Sequence, residues 1–216
     1  HPGAKRGLVQ PQPRLQAHRL LQRPGRGAQL ELKRLQGQVA QFHPALLHLQ
    51  PGQTVLDVGC GTGLSFDPLL QRLGPQGRII GIEPCADMLD RARERLSPAQ
   101  RQQVTLLQAS AQAARWRGRA DAALLHFTHD IVRSPAALDN VFAHLKPGAR
   151  VVATGLQWAA PWAVAVNAFV LGAALYSISS LEGLDRPWSG LAQRLKDFAV
   201  SDEWMGGVYI ASGTRP

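Results

Sequence analysis

Cysteine is scarce in this chain of 216 residues, and the two that occur form no recognisable pattern. Neither Cys60 nor Cys85 has the spacing of a metal site, and the pair does not make a disulfide framework. We therefore predict no metal, and a reducing, cytoplasmic location is the simplest expectation. No stretch has the pattern of a secretory signal peptide.

Acidic residues are nearly absent from the first 50 positions, where Glu31 stands against eight lysines and arginines. This segment therefore holds +7 of the formal net charge of +9. Proline and glycine recur through residues 1–27, which predicts an extended basic arm. Such an arm can hold nucleic-acid phosphates or an acidic membrane surface, but no aromatic residues interleave with the charges, so we favour a solvated tail. Residues 28–50 have apolar positions at helical spacing and predict one or two helices.

The stretch TVLDVGCGTG, residues 54–63, is an apolar strand pattern that leads into glycines at positions 59, 61 and 63. Glycine permits positive φ and the close approach of a ligand, so we expect a tight binding loop followed by a helix. The dinucleotide fingerprint GxGxxG would need a third glycine where Leu64 stands. Glu83 ends a second apolar run 20 residues after the loop, where a carboxylate can accept hydrogen bonds from ribose hydroxyls. Asp57, before the loop, suits a cationic or ammonium-bearing ligand.

Strand and helix patterns alternate from this loop to about residue 154. This alternation predicts a doubly wound, Rossmann-like α/β sheet with helices on both faces and ligands at the carboxyl ends of its strands. Two short strands near the C-terminus bring the predicted total to seven, mostly parallel, with an antiparallel C-terminal hairpin. Strands are predicted at residues 54–58, 77–82, 104–108, 120–126, 149–154, 198–200 and 207–211. Helices are predicted at residues 64–73, 86–96, 111–115, 135–145 and 184–196.

The motif VLDVGCGTG followed by GIEP resembles the nucleotide-binding half of the class I S-adenosylmethionine-dependent methyltransferases, over roughly residues 51–152. The resemblance implies S-adenosylmethionine as cofactor and S-adenosylhomocysteine as product. Ser110 stands where the family often has an aspartate for the adenine amino group, so adenine recognition is the weakest of the implied contacts. Met88 either packs on the adenine or belongs to the core of its helix. The implied cofactor residues are Asp57, Gly59, Cys60, Gly61, Thr62, Gly63, Glu83, Pro84, Met88, Ala109, Ser110, Ala111, His126 and Phe127.

After the fourth predicted strand the chain reads HFTH, residues 126–129, and not the Asp/Asn-Pro-Pro-aromatic motif of base and glutamine methyltransferases. The stretch is more similar to small-molecule methyltransferases, including those that act on quinones. A histidine can take the acceptor's proton as the methyl group arrives, and we favour His129 over His126 for this role. The alternative is that His126 lines the methionine end of the cofactor and His129 caps the next helix.

Charged residues are absent from positions 151–181, which include a 20-residue apolar stretch from residue 159 to 178. That length suffices to cross a bilayer, but its place between the fifth strand and the closing hairpin favours a buried or lid helix over an acceptor pocket. A membrane-contacting helix and a dimer face are the alternatives. The predicted pocket residues are Phe42, Trp158, Trp162, Phe169 and Tyr176.

We therefore expect one methyltransferase domain over residues 28–216, with a cofactor-binding half at 51–155, an apolar insert at 156–197 and a closing hairpin at 198–216. The expected reaction transfers methyl to an O, N or C atom of a small, lipophilic acceptor by in-line displacement. The alternatives are an RNA or protein methyltransferase that uses the basic arm, and a non-catalytic cofactor-binding domain. The oligomeric state is left open between monomer and homodimer.

Overall fold

The computed structural model describes residues 45–177 and 181–216. The predicted basic arm, most of the predicted N-terminal helices and Phe42 lie outside these residues. Helices within the described part are α1 (Phe66–Leu73), α2 (Ala86–Arg95), α3 (Gln100–Gln103), α4 (His129–Val132), α5 (Pro135–Ala143), α6 (Val164–Ser177) and α7 (Ser189–Ala192). Strands are β1 (Thr54–Val58), β2 (Arg78–Glu83), β3 (Val104–Gln108), β4 (Ala120–His126), β5 (Leu145–Leu156), β6 (Lys196–Glu203) and β7 (Val208–Thr214).

The seven strands form one sheet in the order β3-β2-β1-β4-β5-β7-β6. Strands β1 to β5 pair in parallel, whereas β7 is antiparallel to both β5 and β6. The chain leaves β1 toward β2 and β3, then returns to the other side of β1 with β4. This reversal of direction places a crevice at the carboxyl ends of β1 and β4, where doubly wound sheets bind their ligands.

Apolar side chains cover both faces of the sheet because alternate residues of a strand point to opposite sides. On one face, Val55 of β1 packs in a cluster with α1 and α2. On the other face, Leu56 and Val58 pack in a cluster that includes α5. The predicted doubly wound fold, with a mostly parallel sheet and an antiparallel C-terminal hairpin, is therefore confirmed.

Several predicted boundaries are wrong. Residues 111–113 form a turn instead of a helix, and only α7 is helical within the region predicted as a helix from 184 to 196. The closing strands are longer than predicted. Most residues of β6 are exposed, so apolar residues do not mark where this strand begins and ends. Strand β5 likewise extends on both sides of the predicted residues, through Pro147 and Gly148.

The apolar insert also differs from the expected 20-residue helix, since α6 begins only at Val164 and has 14 residues. The side chain of Asn167 accepts the Ala159 N–H at 2.9 Å and donates to the Ala160 carbonyl at 3.2 Å. These bonds hold residues 159–163 as a turn that precedes the helix. Within the residues that the structure describes, no helix has the length and apolarity needed to cross a membrane.

Candidate functional site

The glycine loop follows β1 directly, and Gly59, Gly61 and Gly63 all have positive φ, at 74°, 53° and 73°. A Cβ at Gly59 would overlap the Thr128 methyl group, and one at Gly63 would overlap the Phe66 ring. A Cβ at Gly61 would have no atom of the described residues within 4 Å, so this glycine lies on the open side of that part of the chain. Two of the glycines are therefore needed for packing, and the middle one lines the open side of the loop.

The end of β2 is bonded to this loop. The Ile82 carbonyl accepts the N–H groups of Gly59 and Cys60, at 2.8 and 3.1 Å. The Glu83 carboxylate accepts the Gly61 N–H at 3.2 Å and the Cys85 N–H at 3.0 Å. The half-buried carboxylate thus lies beside the open position at Gly61, and its contact with a ribose stays a prediction.

Asp57 lies beneath the loop, where it is only 1% exposed and accepts a hydrogen bond from the Ser65 hydroxyl. Burial is the main cause that raises the pKa of this carboxyl to about 7; the Ser65 bond opposes the shift and the charge of Glu83 adds to it. Asp57 is therefore shielded from solvent, and through Ser65 it connects the end of β1 to the residue that precedes α1. Sequence reasoning missed Ser65 because nothing in the motif marks it as a partner.

The other loop residues are divided between support and surface. Cys60 is buried against Gly81, and burial raises the pKa of its thiol, which therefore stays protonated at neutral pH. The Thr62 carbonyl accepts the Arg95 guanidinium N–H at 3.1 Å. These contacts fix the loop from the side opposite its open position.

Residues after β2 and β3 lie at the same edge of the sheet. Met88 is 40% exposed, whereas Leu89 and Ala92 supply the buried face of α2, so the interpretation of Met88 as a core residue is wrong. Pro84 is exposed, Ala109 and Ser110 are half-buried, and Ala111 is buried in the core. Met88 and Ser110 are therefore available to a ligand, and Ala111 contributes packing.

At the end of β4, Phe127 has a φ of 53°, a strained conformation for an aromatic residue. Its N–H donates to the Thr154 carbonyl of β5 at 2.7 Å, which holds the chain in this turn. The rings of His126 and Phe127 lie 4.9 Å apart, and the His126 side chain is half-buried. No sequence signal predicts positive φ at a phenylalanine.

His129 is the first residue of α4 and is only 5% exposed. Its Nε2 lies 3.3 Å from the Glu182 carbonyl oxygen, and its buried Nδ1 has no hydrogen-bond partner among the described residues. Burial lowers the pKa of this histidine, so the ring is neutral at pH 7. The pair His129–Glu182 joins α4 to the part of the insert that follows α6.

The insert forms a third apolar cluster beside the end of β5. Phe127, Trp158, Phe169 and Trp204 pack against it, and the rings of Phe169 and Trp204 meet edge to face at 4.4 Å. Trp162, by contrast, is 84% exposed and packs outside this cluster. Tyr176 belongs to α6.

The strand order, the glycine loop after β1 and the acid at the end of β2 define a class I methyltransferase fold. Residues 55–148 match the family model described as a methyltransferase domain. The chain therefore carries a class I S-adenosylmethionine-dependent methyltransferase domain, which confirms the resemblance seen in the sequence; S-adenosylmethionine is the cofactor of this class.

The matches to two curated relatives cover only part of each relative's length. Demethylmenaquinone methyltransferase of Lactococcus lactis is 34% identical over 47% of this chain and 41% of that protein. The 23S rRNA (uracil(1939)-C(5))-methyltransferase of Acinetobacter baumannii is 39% identical over 26% of this chain and 12% of that protein. A solved methyltransferase structure from Aquifex aeolicus has 18% identity and a TM-score of 0.55, with 93% of this chain and 98% of that one covered. The chain thus matches less than half the length of these two curated relatives.

The site fits the cofactor of this class. Gly61 leaves space beside the Glu83 carboxylate, and both lie at the carboxyl end of a strand next to the crevice. Of the predicted site residues, the structure brings the loop, Glu83 and the turn at residues 126–128 to one edge of the sheet. Within the described ranges, no group of three or more histidine, cysteine, aspartate or glutamate side chains is placed to hold a metal ion.

Replacing Asp57 by Asn should change how stability depends on pH. The pKa of Asp57 is about 7 in the folded protein against an ordinary 3.8, so its protonated form favours folding. That contribution is fully present below about pH 4 and is lost as the pH rises to about 7. In urea unfolding at pH 5 and pH 8, the native protein should lose about 2 to 3 kcal/mol more than Asp57→Asn. The control is Asp87→Asn, on the exposed surface of α2; parallel curves for Asp57→Asn and the native protein would contradict the assignment.

Glu83→Ala should weaken S-adenosylmethionine binding by a factor on the order of 10 to 100. The reason is that a charged acceptor for ribose hydroxyls contributes about 1.5 to 3 kcal/mol, and here it also orders the Gly61 N–H. Titration calorimetry measures the change. Glu94→Ala, an exposed glutamate on α2, should bind as the native protein does. Equal affinity for both variants would remove Glu83 from the site.

Proposed function

We propose that this protein transfers a methyl group from S-adenosylmethionine to a small, largely apolar acceptor. The observation that carries the proposal is the position of Phe127. This residue follows β4 at the cofactor edge and packs against the apolar cluster of the insert. The insert is thereby placed beside the crevice, where its apolar surface can form one wall of an acceptor pocket.

The residues proposed to hold the cofactor are those at the ends of β1 to β4. Glu83 would accept the ribose hydroxyls, Gly61 would leave room for the ligand, and Met88 with Ser110 would meet the adenine. His126 and Phe127 would lie toward the methionine end. The bound cofactor supplies a methyl group already activated on a sulfonium. The protein's own contribution is then to align the acceptor with this group and to exclude water.

The chemistry of the wall supports an apolar acceptor. No charged side chain occurs in residues 151–181, and Phe127, Trp158 and Phe169 bring aromatic surface to the cluster. The demethylmenaquinone methyltransferase relative favours a quinone-like ring among the possible acceptors. Trp162 has a place in this proposal only as an exposed residue that an acceptor covers on binding, because it contributes nothing to the cluster's own packing.

His129 has two candidate roles, as a general base or as a positioning residue, and each role uses its ring nitrogens differently. As a base it would accept the acceptor's proton at Nδ1, the nitrogen that has no partner among the described residues, while Nε2–H donates to Glu182. A neutral ring is the form that can accept a proton. As a positioning residue it would only hold α4 against residue 182. His126 is the second candidate, since it lies at the strand end itself.

RNA methylation by the basic arm is the second candidate function. It is favoured by the charge of residues 1–50 and by the 23S rRNA methyltransferase relative. The described site favours a small acceptor instead, because the surface beside the crevice is apolar and free of lysine and arginine over residues 151–181. We propose that the reaction takes place in the cytoplasm, where a quinone-like acceptor would be reached through peripheral membrane contact.

The acceptor class can be tested by formation of S-adenosylhomocysteine. We expect turnover with a short-chain demethylmenaquinone analogue and none with trans-aconitate or ribosomal RNA. Phe169→Ala should raise KM for the acceptor by about tenfold with cofactor affinity unchanged, since a packed aromatic contributes mainly uniform binding. Trp162→Ala should do the same if the acceptor covers it. Turnover on RNA that disappears when residues 1–27 are deleted would favour the second function.

The role of His129 can be separated from that of its hydrogen bond. His129→Ala should lower turnover on the order of 100-fold while cofactor affinity is kept. His129→Gln is the decisive variant, because its amide can still donate to the Glu182 carbonyl but cannot act as a base. Loss in both variants supports proton transfer, whereas full activity in Gln would leave His129 as a positioning residue. His126→Gln tests the other histidine in the same assay.

A further inference from the structure

A second cavity lies at the opposite edge of the sheet from the cofactor site. It has a volume of about 310 Å³ and is lined by the first residues of β1 and β2, by β3, and by the segment that precedes β4. Because β1 to β4 are parallel, this edge holds the amino ends of the strands. Five residue steps, from Thr54 at the start of β1 to Gly59 just after it, separate the two edges by roughly 17 Å. The cavity is therefore distinct from the crevice described above.

Three arginines line this cavity: Arg78 at the start of β2, and Arg117 and Arg119 before β4. All three are exposed, and none of their guanidinium groups forms an ion pair or a hydrogen bond with any residue in the described ranges. Asp121 lies nearby in sequence, but its carboxylate already accepts the Thr54 N–H at 2.9 Å and the Lys146 ammonium at 2.6 Å. The positive charge at the cavity is thus left without a carboxylate partner among the residues that the structure describes.

The loop that precedes β4 leaves the charges of Arg117 and Arg119 accessible at the cavity. Gly118 has a φ of 87°, and a Cβ there would meet no atom of residues 45–177 or 181–216 within 4 Å, so the turn between the two arginines is open on that side. Trp116 also lines the cavity, and its ring lies 4.0 Å from that of His144, whose Nδ1 is 2.8 Å from the Asn140 carbonyl. The indole is therefore held in place, and with Ile80 it gives the cavity an apolar wall.

We propose that this cavity binds a small phosphorylated molecule, with Arg78, Arg117 and Arg119 on the phosphates. Guanidinium groups bind phosphate oxygens through paired N–H donors, and three of them around one concave site match a di- or triphosphate better than a single anion. The volume lies at the lower end of the range for small-molecule sites, about 300 to 1,000 Å³. Two kinds of ligand carry such a polyphosphate group. One is a free polyphosphate, and the other is a nucleotide whose ring would lie against Trp116.

Titration calorimetry on the full chain, with pyrophosphate, triphosphate and ATP in turn, tests the proposal. We expect saturable binding that weakens at least about tenfold in Arg117→Gln/Arg119→Gln. The matched control is Arg72→Gln/Arg91→Gln, which removes the same charge from exposed positions on α1 and α2 and should change affinity less than about twofold. Retained S-adenosylmethionine binding and melting temperature show that each variant is folded, and Arg78→Gln repeats the test at a separate strand.

The same titrations distinguish a nucleotide from a free polyphosphate, and they include outcomes that overturn the proposal. ATP that binds more tightly than triphosphate, with the difference lost in Trp116→Leu, identifies a nucleotide; equal affinities identify a free polyphosphate. The proposal is overturned if the native chain shows no saturable binding, or if the control pair loses as much as the cavity pair. It is also overturned if the cavity variants bind like the native chain, because the basic residues before position 50 would then account for the binding.

Discussion

The structure of the site depends on the hydrogen bonds between the end of β2 and the glycine loop. The Ile82 carbonyl binds two successive loop N–H groups, and Glu83 binds a third. Parallel pairing of β1 with β2 brings these groups together, since Val58 lies opposite Ile82. The loop is therefore preformed by the sheet, and a ligand need not order it. Preorganisation of this kind lowers the entropic cost of binding.

A buried aspartate beneath such a loop is costly, and its environment explains why it is tolerated. Asp57 is out of water, so its charged form is disfavoured and its pKa lies near 7. The Ser65 hydroxyl gives it one donor and couples it to the start of α1. Gly63 leaves room for the Phe66 ring that packs the same helix onto the sheet. The strand, the loop and the first helix thus depend on a few small and polar side chains.

Much of this arrangement can be predicted from the sequence because it rests on periodicity and spacing. The apolar runs of β1, β3 and β4 have the predicted limits, and the distance from the loop to Glu83 follows from one βαβ unit. What could not be predicted depends on contacts distant in sequence. No local sequence signature marks the Asp57–Ser65 hydrogen bond, the strained turn at Phe127 or the His129–Glu182 contact. The start of α6 was missed because Asn167 bonds backward to the turn, which periodicity does not show.

Among the described residues, helix α6 of the insert leaves apolar side chains exposed on its outer side. Helix α6 is apolar on all sides: Val170 and Ala174 are buried, while Val164, Leu171 and Leu175 are exposed at 72%, 39% and 49%. Contiguous exposed apolar surface on a protein is typical of a surface that binds a partner or a ligand. The inner surface of α6 packs in the same cluster as Phe127, which follows β4 at the candidate cofactor site. The proposed pocket wall and this exposed apolar surface are therefore two sides of the same helix.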